Sequence, residues 1–217
     1  MLRLKKVWLR LFLWCGFVLV LAFLMIVLPA FWKRMKAGRI LNEVRAERWS
    51  SVNFEEAKEI SERFGGRPGI FGRQGVPCSA SSCRFDIAVS NFPMDYLHLA
   101  PKTGFYVSIH VQNNRVTAVS SDLLSITLGG SPPQPAPLGA DVVEDIVQTD
   151  PSAPGFRPML NTDSVAGAST TRVALNASAT AEERRAAYDF NLGCLTKLGG
   201  CKRAEDFLPR AAGMVPR

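Results

Sequence analysis

Histidine is scarce in this chain of 217 residues, with only His98 and His110 present. That excludes a three-histidine zinc centre and the paired histidines of an HExxH helix. A GxSxG elbow, a P-loop and a GxGxxG turn are also missing. No Asp or Glu occurs among the first 39 residues, and residues 11–28, LFLWCGFVLVLAFLMIVL, hold no charge of either sign. At ~1.5 Å per residue, and extended by apolar neighbours, that run reaches the ~30 Å of a bilayer core. Trp8, Trp14 and Trp32 lie near its ends, where indoles favour the headgroups. Small residues ahead of a cleavage point are lacking too, since Leu28 stands where one is wanted in VLPA. Cys15 follows bulky Leu13 and Trp14 and precedes most of the apolar run, the reverse of a lipoprotein signal. It reads as one more apolar residue of the span. The expectation is an uncleaved membrane anchor.

The net charge of +7 points to nucleic acid only until it is located. Arg3, Lys5, Lys6, Arg10, Lys33, Arg34, Lys36 and Arg39 flank the apolar run, leaving 18 of the 26 bases against all 19 acids elsewhere. Cations beside a span meet anionic membrane lipid. The rest of the chain has no basic stripe to neutralise phosphates, so no nucleic-acid partner is expected. Four bases on each side of the span leave its orientation open.

Cysteine usage bears on orientation. Cys78 and Cys83 form one close pair and Cys194 and Cys201 another, with only Cys15 left over. A zinc clip and a redox dithiol are the alternatives to disulfides. Zinc favours two to four residues between the cysteines of a pair, and CLTKLGGC has six. Redox pairs usually have two, and neither pair here does. Two local disulfides are therefore expected, closing short loops, with the domain outside the cytoplasm.

After the span, Ile40, Leu41 and Val44 share one helical face and read as a stalk leaving the membrane. NFEEAKEISERFGG reads as a helix, with Asn53 as its cap, Glu55 and Glu56 at its positive end and Gly65 as its stop. The period then becomes twofold. Phe85, Ile87 and Val89 alternate in one strand, and Phe105, Val107, Ile109 and Val111 in the next. Asn113-Asn114 suits a two-residue hairpin turn that would pair Val111 with Val116 and Ile109 with Ala118. Residues 122–128 offer a further strand, as do DVVEDIVQ and STTRVALN. GGSPPQPAPLGA (residues 129–140) reads as an exposed proline-rich loop. A capping box from Thr180 to Glu183 opens one long helix, with Ala187, Phe190, Cys194 and Leu198 on its buried stripe and Gly199-Gly200 as its end.

The fold expected is α+β: an N-terminal transmembrane helix and stalk, then a small antiparallel sheet with packed helices. Its parts are a cytoplasmic tail at residues 1–10, a transmembrane helix at 11–32 and juxtamembrane helices at 33–64. An extracytoplasmic domain follows at 65–209, and a frayed tail at 210–217. Tyr106, Ser108, His110, Thr117 and Val119 are expected on the sheet's second face, as a binding surface. His110 there reads as a solvated or hydrogen-bonded histidine, and His98 has a place open to it on the same surface although nothing in the sequence joins the two. Asp141, Glu144 and Asp145 lie close enough to touch a cation, but in no calcium-loop spacing. No catalytic residue, cofactor or metal is expected. The function expected is a binding or assembly module that meets another envelope protein, with an envelope enzyme as the alternative.

FEEAKEISERFGG, CSASSCRF, YLHLAPKTGFYVSIHV and YDFNLGCLTKLGGCKRAEDFLP together resemble a group of uncharacterised membrane-anchored bacterial proteins, many of them acidobacterial. The likeness covers most of the chain after the stalk. It implies a single-pass protein of the bacterial cytoplasmic membrane with its domain outside, and brings no activity. The helix followed by hairpin strands is more loosely similar to small outer-membrane assembly lipoproteins, whose lipid-bearing cysteine this chain lacks. That analogy concerns the fold only.

Overall fold

The computed structural model describes residues 2–69, 78–92, 94–126, 137–147, 153–163 and 168–215. Helix α1, Leu2–Ala46, is unbroken and runs through Pro29. From Phe12 onward its most apolar stretch has a mean hydropathy of 2.7 and is not buried against the rest of the protein, so it is long and apolar enough to cross a membrane. Its last turns are not a free stalk. Ala37, Ile40, Leu41 and Val44 are buried in the domain core, and the indole of Trp49 donates to Val44 O at 3.1 Å. The helical face that the sequence showed is covered by protein rather than by water.

Helix α2, Phe54–Arg63, opens on the expected cap: Asn53 accepts from the Glu56 amide, and Glu56 accepts in return from the Asn53 amide. It returns along the sheet, burying Ala57 and Ile60, and is followed by Gly65 at φ 74°. The sheet comprises β1 (Arg67–Pro68), β2 (Ser82–Ser90), β3 (Lys102–Gln112), β4 (Arg115–Ile126), β5 (Pro137–Asp145), β6 (Phe156–Asp163) and β7 (Ala168–Leu175). Their order is β1-β2-β3-β4-β5-β7-β6, and every neighbouring pair is antiparallel except β5 with β7. The fold is α+β, with a sheet broader than expected. Each edge strand holds an Arg-Pro pair, Arg67-Pro68 in β1 and Arg157-Pro158 in β6. Proline has no amide hydrogen to offer another strand, which blunts both edges.

The described helices pack on one face of the sheet. That face buries Phe85, Ile87 and Val89 of β2, Phe105, Val107 and Ile109 of β3, and their continuation across β4, β5 and β7. The hairpin turn is as expected, with Asn113 at φ 50° and Asn114 at φ 64°, the left-handed conformation asparagine tolerates. Its register is not. Val111 pairs with Val116, but a bulge between His110 and Val111 then puts Ile109 opposite Val119 and His110 opposite Ala118. One extra residue reverses the alternation. Val119 is therefore fully buried in the core and not on the second face.

Other boundaries also move. Residues 122–126 continue β4 and form no separate strand, and β5 begins at Pro137, inside the stretch read as loop. The loop's residues 129–136 lie outside the described residues. β6 had no alternating signature and was missed. The long helix expected to end at Gly199-Gly200 is instead α3 (Ala181–Ala187) and a separate 3-10 turn at Leu192–Leu195; a second such turn, Ala204–Asp206, and α4 (Pro209–Ala212) follow it. The capping box at Thr180 and Glu183 is present, but Leu198 is exposed rather than on a buried stripe. The expected frayed tail begins inside α4, where Ala211 is fully buried.

Both local disulfides are present. Cys78–Cys83 closes a tight turn, with a Cα separation of 4.7 Å. The Asn113 and Asn114 amides donate to Ser81 O and Ala80 O, docking that turn on the hairpin tip. Cys194–Cys201 lies wholly inside the core, with a Cα separation of 5.3 Å. Replacing Cys194 and Cys201 together by Ala should cost roughly 2–3 kcal/mol, from chain entropy alone. Thermal melting should show a drop of several degrees, and non-reducing peptide mapping of the wild type should recover the two local pairs. An unchanged melting temperature would sink the structural role.

Candidate functional site

The face turned away from the helices is polar and ordered. Across it runs a row of directly opposed residues: Tyr106 on β3, Asp122 on β4, Asp141 on β5 and Arg172 on β7. Opposed side chains in antiparallel strands have Cβ atoms roughly 5 Å apart, so two carboxylates in that position repel. The Arg172 Nε donates to Asp141 Oδ2 at 2.7 Å and neutralises one of them. Among the described residues no N–H or hydroxyl donates to the other oxygen, Asp141 Oδ1, which is buried. A proton on Asp122 supplies the missing donor. In agreement, burial first, and then Asp141, push the Asp122 carboxyl up to about 8, with Arg172 and Arg84 opposing. Asp122 therefore keeps its proton at neutral pH. Burial, and then Asp122, also raise the Tyr106 phenol above its ordinary value.

A second knot lies beside this row. The Arg84 Nε donates to Asp86 Oδ1 at 2.7 Å and its Nη2 donates to Ser108 Oγ at 2.8 Å. Ser108 Oγ donates in turn to Asp86 Oδ1 at 2.6 Å. Asp86 and Ser108 are buried under the Arg84 side chain. His110, opposite Arg84, is half-buried, and burial and the guanidinium together lower its pKa, with Asp86 opposing. The imidazole is therefore neutral at pH 7.

Of the five residues expected on this surface, Tyr106 and His110 are half-buried on the outer face. Ser108 lies beneath it, and Thr117 sits at the bulge, donating to His110 O at 3.4 Å. Val119 belongs to the opposite face. The outer row was missed because its members come from four strands, and no sequence spacing joins Asp122 to Arg172. The only visible signal was the carboxylates set among apolar residues, Asp122 in β4 and Asp141 in β5.

Asp141, Glu144 and Asp145 do not converge, because alternation sends Glu144 to the core face. There it accepts from both Arg184 nitrogens, the Nη1 at 3.0 Å, and from the Tyr188 hydroxyl at 2.9 Å. Burial raises the Glu144 carboxyl despite these partners. Arg45 at the end of α1 donates to Tyr188 O, so this cluster ties the long N-terminal helix to α3 and β5. Among the described residues no group of three metal-ligating side chains occurs. His98 has φ 55° in the turn before β3, while His110 lies near that strand's far end, so the two histidines do not meet. A cleft of about 550 Å³ lies between α1 and residues 189–193, and another of about 290 Å³ borders Trp49, Glu144 and Arg184. Neither touches the acid pair.

Comparison with protein-family models, with curated proteins and with solved structures finds no match to this chain.

Proposed function

We propose that this chain is a single-pass, N-in protein of the bacterial cytoplasmic membrane. Its domain, beyond the membrane, works as a binding or assembly module for another envelope protein. One observation supports the binding role above the others: the outer face of the sheet. Among the described residues no helix covers it, yet hydrogen bonds hold Arg84, Asp86, Ser108, Asp141 and Arg172 in place. An ordered polar surface with blunted edges suits a partner that docks face-on. The placement outside the cytoplasm draws on the two disulfides, which persist in oxidising compartments.

Crosslinking and pull-down of the intact protein from membranes tests the role. A partner should be captured by the wild type and lost on Met159→Arg, which changes an exposed outer-face position next to Arg172. Capture unaffected by that change would move the interface elsewhere. Orientation is tested separately. A reporter that works only outside the cytoplasm, fused after Arg217, should be active, and activity of a cytoplasm-only reporter there would overturn the placement.

The alternative, an envelope enzyme, is favoured by one feature only. Asp122 is a carboxyl protonated near neutral pH, the state a general acid requires.

A further inference from the structure

The described residues of the turn between β2 and β3, 91, 92 and 94–101, display a cluster of apolar side chains. Phe92 is 53% exposed and Tyr96 72%, their rings 5.7 Å apart, and Leu97 and Leu99 are exposed beside them. The turn is not loose. Asn91, fully buried at its base, donates from Nδ2 to Pro101 O at 2.9 Å and accepts from the Thr103 amide at 3.0 Å. Leu198, 72% exposed, comes from the turn that follows the 3-10 segment Leu192–Leu195. The Gly199 amide donates to Leu99 O at 2.9 Å, and a Cβ at Gly200 would lie 2.7 Å from Pro101 Cγ. Only glycine permits that approach, so the two segments form one surface. A soluble domain has little reason to expose a rigid aromatic and aliphatic patch of this kind.

Its position in the fold says what covers it. Phe105, near the start of β3, meets Phe190 with ring centroids 5.6 Å apart. Leu192, just beyond, borders α1 at Gly38, where a Cβ would lie 3.8 Å from it. At the other end of the sheet, the Val116 amide beside the hairpin tip donates to Val52 O, in the segment that follows α1. Helix α1 therefore travels from the end bearing residues 91–101 toward the hairpin tip. Followed backward, its apolar span leaves the domain at the end that bears the patch. Gly38 to Trp32 is only about 9 Å of helix, which brings the patch close to the level of the interfacial indole. Lys102 and Lys197 lie at the margins of the patch and Lys33 and Arg34 on α1, against the single acid Asp95 in the turn. That balance suits anionic headgroups.

We propose that Phe92, Tyr96, Leu97, Leu99 and Leu198 form a membrane-seating surface that holds the domain against the lipid of the bilayer crossed by α1. The proposal rests on the reading of α1 as a membrane anchor.

The test uses the full chain, reconstituted in vesicles of phosphatidylethanolamine and phosphatidylglycerol. A photoreactive diazirine side chain replaces Tyr96, Leu198, Phe17 in the span or Asn113 at the hairpin tip, one at a time. Both patch positions are exposed, so melting temperatures should stay at the wild-type value. Lipid adducts are expected at Tyr96, Leu198 and Phe17, with loss of the lipid signal at Asn113. Lipid at Phe17 with only water-quenched product at Tyr96 and Leu198 overturns the seating surface and leaves the anchor standing. No lipid at Phe17 overturns both. Adducts from the patch to a second copy of the chain would make it an interface between copies and would also overturn the proposal.

Discussion

Val119→Asp should unfold or nearly unfold the domain, losing several kcal/mol, because an unpaired carboxylate would enter the fully buried face opposite Ile109. Ile109→Asp should do the same for the same reason. His110→Ala, one residue away on the half-buried outer face, should cost less than about 1 kcal/mol. Thermal melting of the full chain in detergent separates these outcomes. The Val119 result is the informative one. In a hairpin without the bulge, Val119 would face outward and tolerate aspartate as His110 tolerates alanine. A small loss at Val119 would therefore remove the bulge, and with it the present assignment of the two faces.

Stability should fall as pH rises between about 4 and about 8, and Asp122 is the cause. Its carboxyl holds a proton to about 8 in the folded chain, whereas an unfolded aspartate releases it near 3.9. In that window the folded state binds the extra proton, so each pH unit removes up to ~1.4 kcal/mol from the folding free energy. The contribution is complete below the unfolded value and is lost once pH passes the folded one. Asp122→Asn keeps an N–H donor for the buried Asp141 oxygen and has no proton to lose. Its stability should be nearly flat over the same range, and above pH 8 it should exceed the wild type by a few kcal/mol. Denaturant titrations at pH 5, 6.5 and 8 measure this. An equal slope in Asp122→Asn would place the proton on another group.

The parts of the fold legible from sequence were those governed by neighbours along the chain. Asn53 with Glu56 and Thr180 with Glu183 formed their capping boxes because each needs only three residues of separation. The alternation of Phe85, Ile87 and Val89 correctly marked the core face of β2, and the short loops between cysteines closed locally. What failed depended on distant partners. A helical stripe through Phe190, Cys194 and Leu198 was plausible as a pattern. The actual chain leaves the helix after Ala187 because Phe190 packs on Phe105 and the Asn191 amide donates to Phe207 O. The bulge at His110 leaves no mark on composition, yet it moves Val119 from surface to core. The acid pair was beyond reach for the same reason, since the pairing of β4 with β5 sets its geometry and nothing within either strand joins Asp122 to Asp141.

Helix α1 also has a mechanical meaning. It passes from the apolar span to Ala46 without an intervening linker, and Arg45 and Trp49 fasten its end to the domain. Where a flexible tether would let the domain wander, this arrangement makes the span a lever. Transmembrane helices adjust to bilayer thickness mainly by tilting. In the placement proposed above, any such tilt would rotate the whole sheet with it, and the outer face with its arginines would swing through the same angle. With α1 as the membrane anchor proposed above, the thickness of the bilayer would set the direction in which the domain presents that face.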